Sequence, residues 1–264
     1  MEGPEGGAAV SAVGFGVRGP RGWVFRGVDI DAAPGSLVAV EGPSGSGRTC
    51  LLLALTGRMR SAEGTATVAG SRLPKQLSAV RRVSALAHVP GVTDLDPALT
   101  VAEHIRERAL LQRRFDGSLR GLLRGVLRPR SARRAEARHR TDAALAAAGL
   151  DLDALPKGPR TAVRDLERVE ALRLSLALAL AGEPLVIAVD DTDLKLADTE
   201  RAEVWAQLRA VAAAGTTVVA VCSRAPDDAD VVVSTAPARP TAVTATPTPT
   251  DKEAADALAE AGRA

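Results

Sequence analysis

The chain has 264 residues, 46% of them hydrophobic and 25% charged, values that exclude a fibrous or wholly disordered polymer and leave room for one large domain or two small ones. Its net charge of +2 is too small to imply an acidic partner by itself. Two cysteines, Cys50 and Cys222, exclude a disulfide framework, and neither stands in a CxxC pair.

Both cysteines lie in apolar runs, where cysteine behaves as a small buried hydrophobe, and a reducing cytoplasm suits them. The most apolar stretch, 172–182, is interrupted by Arg173 and is too short to cross a bilayer. The opening residues lack the basic-then-apolar pattern of a secretory leader. The expectation is a cytoplasmic protein that reaches a membrane only through a separate partner.

In chain order, residues 1–9 read as a disordered lead-in. Stretches 10–17 and 23–30 alternate apolar with small or polar residues, as half-buried strands do. The apolar run 37–40 predicts a buried strand. A Gly-rich turn follows, then a helix over 49–56 closed by Gly57. Strands are predicted at 64–68 and 82–88. Thr100 and Glu103 form a capping-box pattern that opens a helix running to about Arg114. Further helices are predicted at 141–148, 166–181 and 200–214, and strands at 185–189 and 216–221. Alternating strands and helices imply a parallel sheet covered on both faces. From 234 the composition turns to Ala, Pro and Thr, a linker signature, and 251–264 has the makings of a short helix.

The string Gly42, Pro43, Ser44, Gly45, Ser46, Gly47, Arg48, Thr49 follows a predicted strand and precedes a predicted helix. In that setting the pattern GxxxxGK[ST] has physical meaning. Glycines let the backbone curl until its N–H groups converge on phosphate oxygens. The helix N-terminus adds the positive end of a dipole, and Cys50 follows in its first turn. The Thr49 hydroxyl is placed to ligate Mg²⁺. Arg48 departs from the pattern: it keeps the charge of lysine but is longer, planar and forked. A plain Gly-rich turn is the alternative reading.

Beyond this loop the order of features resembles the ATP-binding cassettes of ABC transporters. The resemblance rests on FRGVDIDAAPGSLVAVEGPSGSGRTCLLLALTG with SAEGTATVAG, on LAHVPGVTDLDPALTVAEH, on RLSLALALAGEPLVIAVDD, and on TTVVAVCSRAPDDADVVV. These segments cover most of residues 10–233. The resemblance implies ATP and Mg²⁺ as ligands, with Asp190 assisting Thr49 at the metal and Asp191 in the place of the catalytic glutamate. It also places Trp23 roughly where the family stacks an aromatic ring on adenine, although a core or surface tryptophan fits the position equally well.

The departures fall on the chemistry. Gly91 stands at the Q-loop glutamine. Leu166 to Glu170 stands at the signature and keeps only the leucine, so Glu167 and Glu170 would set negative charge near phosphate. Ser223 stands at the switch histidine. Asp191 is one methylene shorter than glutamate and would stop about 1.5 Å short of an attacking water. His88 reads as a strand residue, and His104 and His139 as exposed helix residues, with no metal-like spacing.

Between 113 and 140 the arginines are dense. Leu119, Leu122, Leu123, Val126 and Leu127 fall on one helical face and Arg120, Arg124 and Arg128 on another. Such a segment suits either a solvated surface helix or contact with a permease loop or anionic membrane surface. No aromatics interleave with the arginines, which argues against nucleic acid.

The resulting expectation is an α/β fold: a P-loop NTPase core with a mostly parallel sheet, an N-terminal antiparallel β part and an inserted α-helical subdomain. One cassette domain would span 1–235 (core 10–99 and 160–235, helical part 100–159), followed by a linker and tail over 236–264. The implied partners are a membrane-spanning permease and a second cassette, identical or not, at the inner face of the cell membrane. The implied activity is ATP binding with slow or absent hydrolysis. The alternatives are a fully active transport ATPase with drifted motifs and a non-enzymatic adaptor.

Overall fold

The computed structural model describes residues 7–115 and 130–236. The chain opens with β1 (Val10–Gly19) and β2 (Gly22–Ala32), a long antiparallel hairpin in which Val10 faces Ala32 and Gly19 faces Gly22. Then follow β3 (Leu37–Glu41), α1 (Arg48–Leu55), β4 (Glu63–Val68) and β5 (Ser71–Leu73). A short helix α2 (Leu77–Val83) leads into β6 (Ser84–Leu86). The helices α3 (Val101–Phe115), α4 (Arg130–Ala147) and α5 (Arg168–Leu180) come next. The chain closes with β7 (Val186–Val189), α6 (Asp198–Ala213), β8 (Thr217–Val221) and β9 (Val231–Ser234).

The strands form two sheets: an antiparallel one in the order β2-β1-β4-β5, and a five-stranded one in the order β6-β7-β8-β3-β9. Every pairing in the second is parallel, as expected for strands such as β7 and β8, buried throughout, and β3, buried up to Glu41. Alternate residues of these strands feed two separate cores. Val38, Val40, Val186, Ala188, Val219 and Val221 pack with α1 and with the antiparallel sheet. Leu37, Ala39, Ile187, Val189, Val218 and Ala220 pack with the helices of the other face. Helix α1 is thereby held between the sheets, with Leu51, Leu52, Ala54 and Leu55 buried.

Several expectations are corrected. The stretch 82–88 is not one strand: α2 runs through Val83, and β6 keeps only three residues. The helix expected at 141–148 starts at Arg130. Its first turns are too rich in Arg and Ala to carry an apolar period. Residues 7–9 are not a loose lead-in. Ala8 is buried, and its carbonyl accepts the Thr217 hydroxyl at 2.8 Å. His104 is buried rather than exposed, with Nε2 3.2 Å from the Asp96 carbonyl. The capping box forms as expected: the Thr100 N–H donates to the Glu103 carboxylate at 2.8 Å. The leucine and arginine faces of 119–128, and the tail after 236, lie outside the described residues.

Candidate nucleotide site

The site gathers at the carboxyl ends of β3, β7 and β8, the edge where open parallel sheets bind ligands. β3 ends at Glu41, and the loop from Gly42 to Gly47 joins it to α1. Gly42, Gly45 and Gly47 all have positive φ, at 153°, 81° and 86°. Space is also short. A Cβ on Gly47 would lie 2.6 Å from the Val24 carbonyl oxygen, and one on Gly42 would lie 2.6 Å from the Thr235 hydroxyl. The turn is closed by the Ser46 N–H donating to the Pro43 carbonyl at 3.1 Å. Pro43, Ser44 and Gly45 are exposed, while Ser46, Gly47, Arg48, Thr49 and Cys50 are half-buried.

The decisive contact is between two residues 141 positions apart. The Thr49 hydroxyl, in the first turn of α1, donates to Asp190 Oδ2 at 2.5 Å. Asp190 follows the last residue of β7 and is 3% exposed. Burial pushes its carboxyl pKa up, against the lowering effect of the Thr49 bond. Its other oxygen accepts the Asp191 backbone N–H at 2.9 Å. Asp191 is half-buried and sits in the left-handed region at φ 50°, an uncommon conformation for a residue with a side chain.

Arg48 turns inward. Its guanidinium donates to the Cys222 carbonyl at the end of β8 at 2.5 Å. Cys50 is half-buried, and burial followed by the nearby Asp190 raises its thiol pKa. The Cys222 thiol is pushed up to about 12, first by burial, so neither cysteine is poised as a thiolate.

Trp23 lies on β2 one residue before Val24, whose carbonyl abuts Gly47, and its own ring lies against Gly16 of β1. It is 42% exposed. The Arg26 guanidinium lies over its ring at 4.7 Å and that of Arg18 at 5.9 Å. Arg26 is itself held by Glu63 at 2.6 and 3.0 Å.

Three participants were not assigned to the site from the sequence, although the resemblance puts an irregular D-loop over 193–198. Asp193 accepts both the backbone N–H of Ser223, at 2.8 Å, and its hydroxyl. Thr235, just past β9, shares a hydrogen bond of 2.6 Å with Ser46. Glu41 accepts the Ala225 N–H at 3.1 Å. Each pairing joins loops from different strands, which no local pattern reveals. Gly91 is exposed, and its N–H donates to Asp94 at 2.9 Å.

A curled glycine loop, a helix N-terminus behind it and a hydroxyl–carboxylate pair beneath it suit a nucleoside triphosphate with Mg²⁺. Mg²⁺ takes hard oxygen donors and keeps several waters alongside one or two protein groups. Thr49 and Asp190 supply that pair.

Comparison with known proteins agrees with this geometry. Residues 25–193 match the family model described as ABC transporter. The chain belongs to the ABC transporter family. Among curated ABC relatives, it is 27% identical over 196 residues to the Nod factor export ATP-binding protein I of Paraburkholderia xenovorans, covering 74% of this chain and 56% of that one. It is 30% identical over 194 residues to a daunorubicin resistance ATP-binding protein of Streptomyces coeruleorubidus, covering 73% and 53%. The chain thus spans about half the length of these relatives. Among solved structures, it resembles a dimeric ATP-binding cassette bound to ADP and Pi, with a TM-score of 0.61 at 20% identity, covering 81% of this chain and 88% of that one. It also resembles a bacterial ABC exporter with ATP bound, with a TM-score of 0.63 at 20% identity, covering 90% and 39%. At these identities the likeness is one of fold: a cassette with the P-loop NTPase architecture.

Proposed function

We propose that this chain is the ATP-binding subunit of an ABC transporter, holding Mg·ATP at Gly42 to Thr49 and hydrolysing it slowly or not at all. The observation that carries the binding half is the Thr49–Asp190 hydrogen bond. It brings the loop hydroxyl and the strand-end carboxylate to one point, where a phosphate-bound Mg²⁺ needs oxygen donors. Trp23 is the candidate adenine platform and Cys50 a backbone contributor in the first turn of α1. The cassette would divide into a core over 10–99 and 160–235 and a helical part over 100–159.

Four features support weak turnover. Asp191, the candidate general base, is short and held in a left-handed turn. Ser223 is committed to Asp193. Gly91 offers no side chain. Glu170 accepts the Glu167 N–H at 2.8 Å, so the segment aligned with the signature caps α5 with a carboxylate instead of presenting a neutral donor.

The partners this reading requires are a membrane-spanning permease and a second cassette, identical or better equipped, at the inner face of the membrane. No described helix is long and apolar enough to cross a bilayer itself. Nucleic acid is not among the proposed partners.

Calorimetric titration with Mg·ATP tests the reading. The expected result is saturable binding that Thr49→Ala and Asp190→Asn each weaken by about tenfold or more, with turnover far below that of an intact cassette. Folded protein that takes up no ATP would favour the adaptor reading, to which the inward-turned Arg48 already lends some support. Brisk turnover abolished by Asp191→Asn would establish the fully active ATPase instead.

A further inference from the structure

Charge is spread unevenly along this chain. Residues 101–147 hold twelve arginines against five acidic residues, a surplus of seven in a chain whose net charge is +2. The remainder is therefore net acidic, and the excess of cations belongs to the stretch that contains α3 and α4. Those two helices flank a groove of about 480 Å³, large enough for a small amphipathic ligand. Each helix lends it one stripe: Ile105, Arg106 and Ala109 from α3, and Arg134, Ala137 and Arg138 from α4. The spacing of three and four residues puts each set on a single helical face.

The lining divides into an apolar floor and a cationic rim. Ile105, Ala109 and Ala137 are half-buried and Leu145 is buried, whereas Arg106, Arg134 and Arg138 are exposed. None of the three arginine side chains makes a hydrogen bond or ion pair with a described residue. The acidic groups beside them are Asp142, which lines the groove, and Glu103, one turn before Arg106, whose carboxylate already accepts the Thr100 N–H and hydroxyl. Thr141 is the one neutral polar side chain in the lining, and its hydroxyl donates to the Ala137 carbonyl at 2.9 Å. Leu110, one turn beyond Arg106 on α3, is 57% exposed, so an apolar side chain stands in the open beside the cationic rim.

We propose that α3 and α4 dock on an anionic phospholipid surface, with the groove between them seating a lipid whose phosphate meets Arg106, Arg134 and Arg138. A guanidinium fork matches phosphate oxygens in pairs, and the apolar floor takes the less polar part of the lipid below the headgroup. Cations alternating with exposed apolar side chains suit the boundary between headgroups and acyl chains. An acidic peptide fits less well, because the groove presents charge and apolar surface but no free neutral donor to orient a peptide backbone. This contact is made by the chain itself, without a permease, and it is independent of the nucleotide site.

The test is co-sedimentation of the full chain, without nucleotide, with vesicles of phosphatidylcholine alone and of phosphatidylcholine mixed equally with phosphatidylglycerol. One variant combines Arg106→Ala, Arg134→Ala and Arg138→Ala. A control removes the same charge from exposed arginines outside the helical pair, through Arg21→Ala, Arg72→Ala and Arg82→Ala. Alanine suits a helix, and each protein is checked for an intact thermal transition. The expected result is that the wild type pellets with the mixed vesicles and not with phosphatidylcholine alone. The groove variant should bind the mixed vesicles about a hundredfold more weakly, from the loss of three surface cations, while the control stays within about threefold of the wild type. A wild type that ignores the mixed vesicles, binds both kinds alike, or loses equally in the two variants overturns the proposal. If it ignores vesicles but binds polyglutamate through the same three arginines, the groove belongs to an acidic protein partner and the lipid reading falls. Because nucleotide plays no part in the measurement, its failure would leave the Mg·ATP site to stand or fall on its own titration.

Discussion

Arg48 decides how phosphate meets this loop. A lysine at this place is a flexible point charge with three donors, whereas a guanidinium is planar and binds through a fixed fork. Here the fork is engaged with the Cys222 carbonyl at 2.5 Å, and a hydrogen bond from a charged group is worth about 1.5–3 kcal/mol. Reaching phosphate means giving up or sharing that bond. Arg48→Lys is therefore expected to tighten Mg·ATP binding by about tenfold, equivalent to about 1.4 kcal/mol. Unchanged or weaker binding in titration would show that the guanidinium already serves the phosphates from its inward position. The sequence made the Thr49–Asp190 pair legible because each stands at a motif position with one chemical purpose. It did not disclose where Arg48, Ser46 or Ser223 would turn, since their partners Cys222, Thr235 and Asp193 arrive from strands far along the chain.

At the scale of elements, the strong local signals hold and the weak ones fail for identifiable reasons. β3 is apolar up to Glu41 and β8 after Thr217, and both emerge as parallel strands whose apolar residues are buried. The capping box at Thr100 marks the start of α3 within one residue. By contrast, the residues of α2 and β6 form one mixed run, and a helix-to-strand change at Val83 leaves no turn residue to announce it. β5 and β9 are three and four residues long, too short to show a period. The turn that aims α1 depends on Gly47, at φ 86° and with the Val24 carbonyl 2.6 Å from where a Cβ would stand. Gly47→Ala would combine a left-handed backbone with a clash against β2, each costing of order 1–3 kcal/mol. It should lower the midpoint of urea unfolding and abolish Mg·ATP binding. A variant of wild-type stability would mean that the loop relaxes freely away from β2.

For the whole molecule, the candidate site sets binding against stability. Asp190 is nearly fully buried, and its pKa is raised from the ordinary 3.8, first by burial. Between 3.8 and the raised folded value, the native state holds more protons than the unfolded state. Stability therefore falls as pH rises through that window. Below it the penalty is absent, and above it, at neutral pH, the penalty is complete. Asp190→Asn removes the charge and keeps one oxygen for the Thr49 hydroxyl, while its amide nitrogen replaces the oxygen that accepts the Asp191 N–H, which offsets part of the gain. The variant is expected to melt higher than the wild type at pH 7 and to lose that advantage as the pH approaches 4. In a domain of this size, relief of about 1 kcal/mol raises Tm by about 2–4 °C. Ligand linkage adds an opposite effect, because Mg·ATP at a hundred times its Kd stabilises the native state by about 2.7 kcal/mol. The wild type should gain Tm on adding Mg·ATP and Asp190→Asn should gain much less, so the melting order of the two proteins narrows or inverts when nucleotide is present. Scans at two pH values, with and without Mg·ATP, separate the effects. A variant that melts no higher than wild type at neutral pH would show that the Thr49 bond and the Asp191 N–H already offset the burial of the charge.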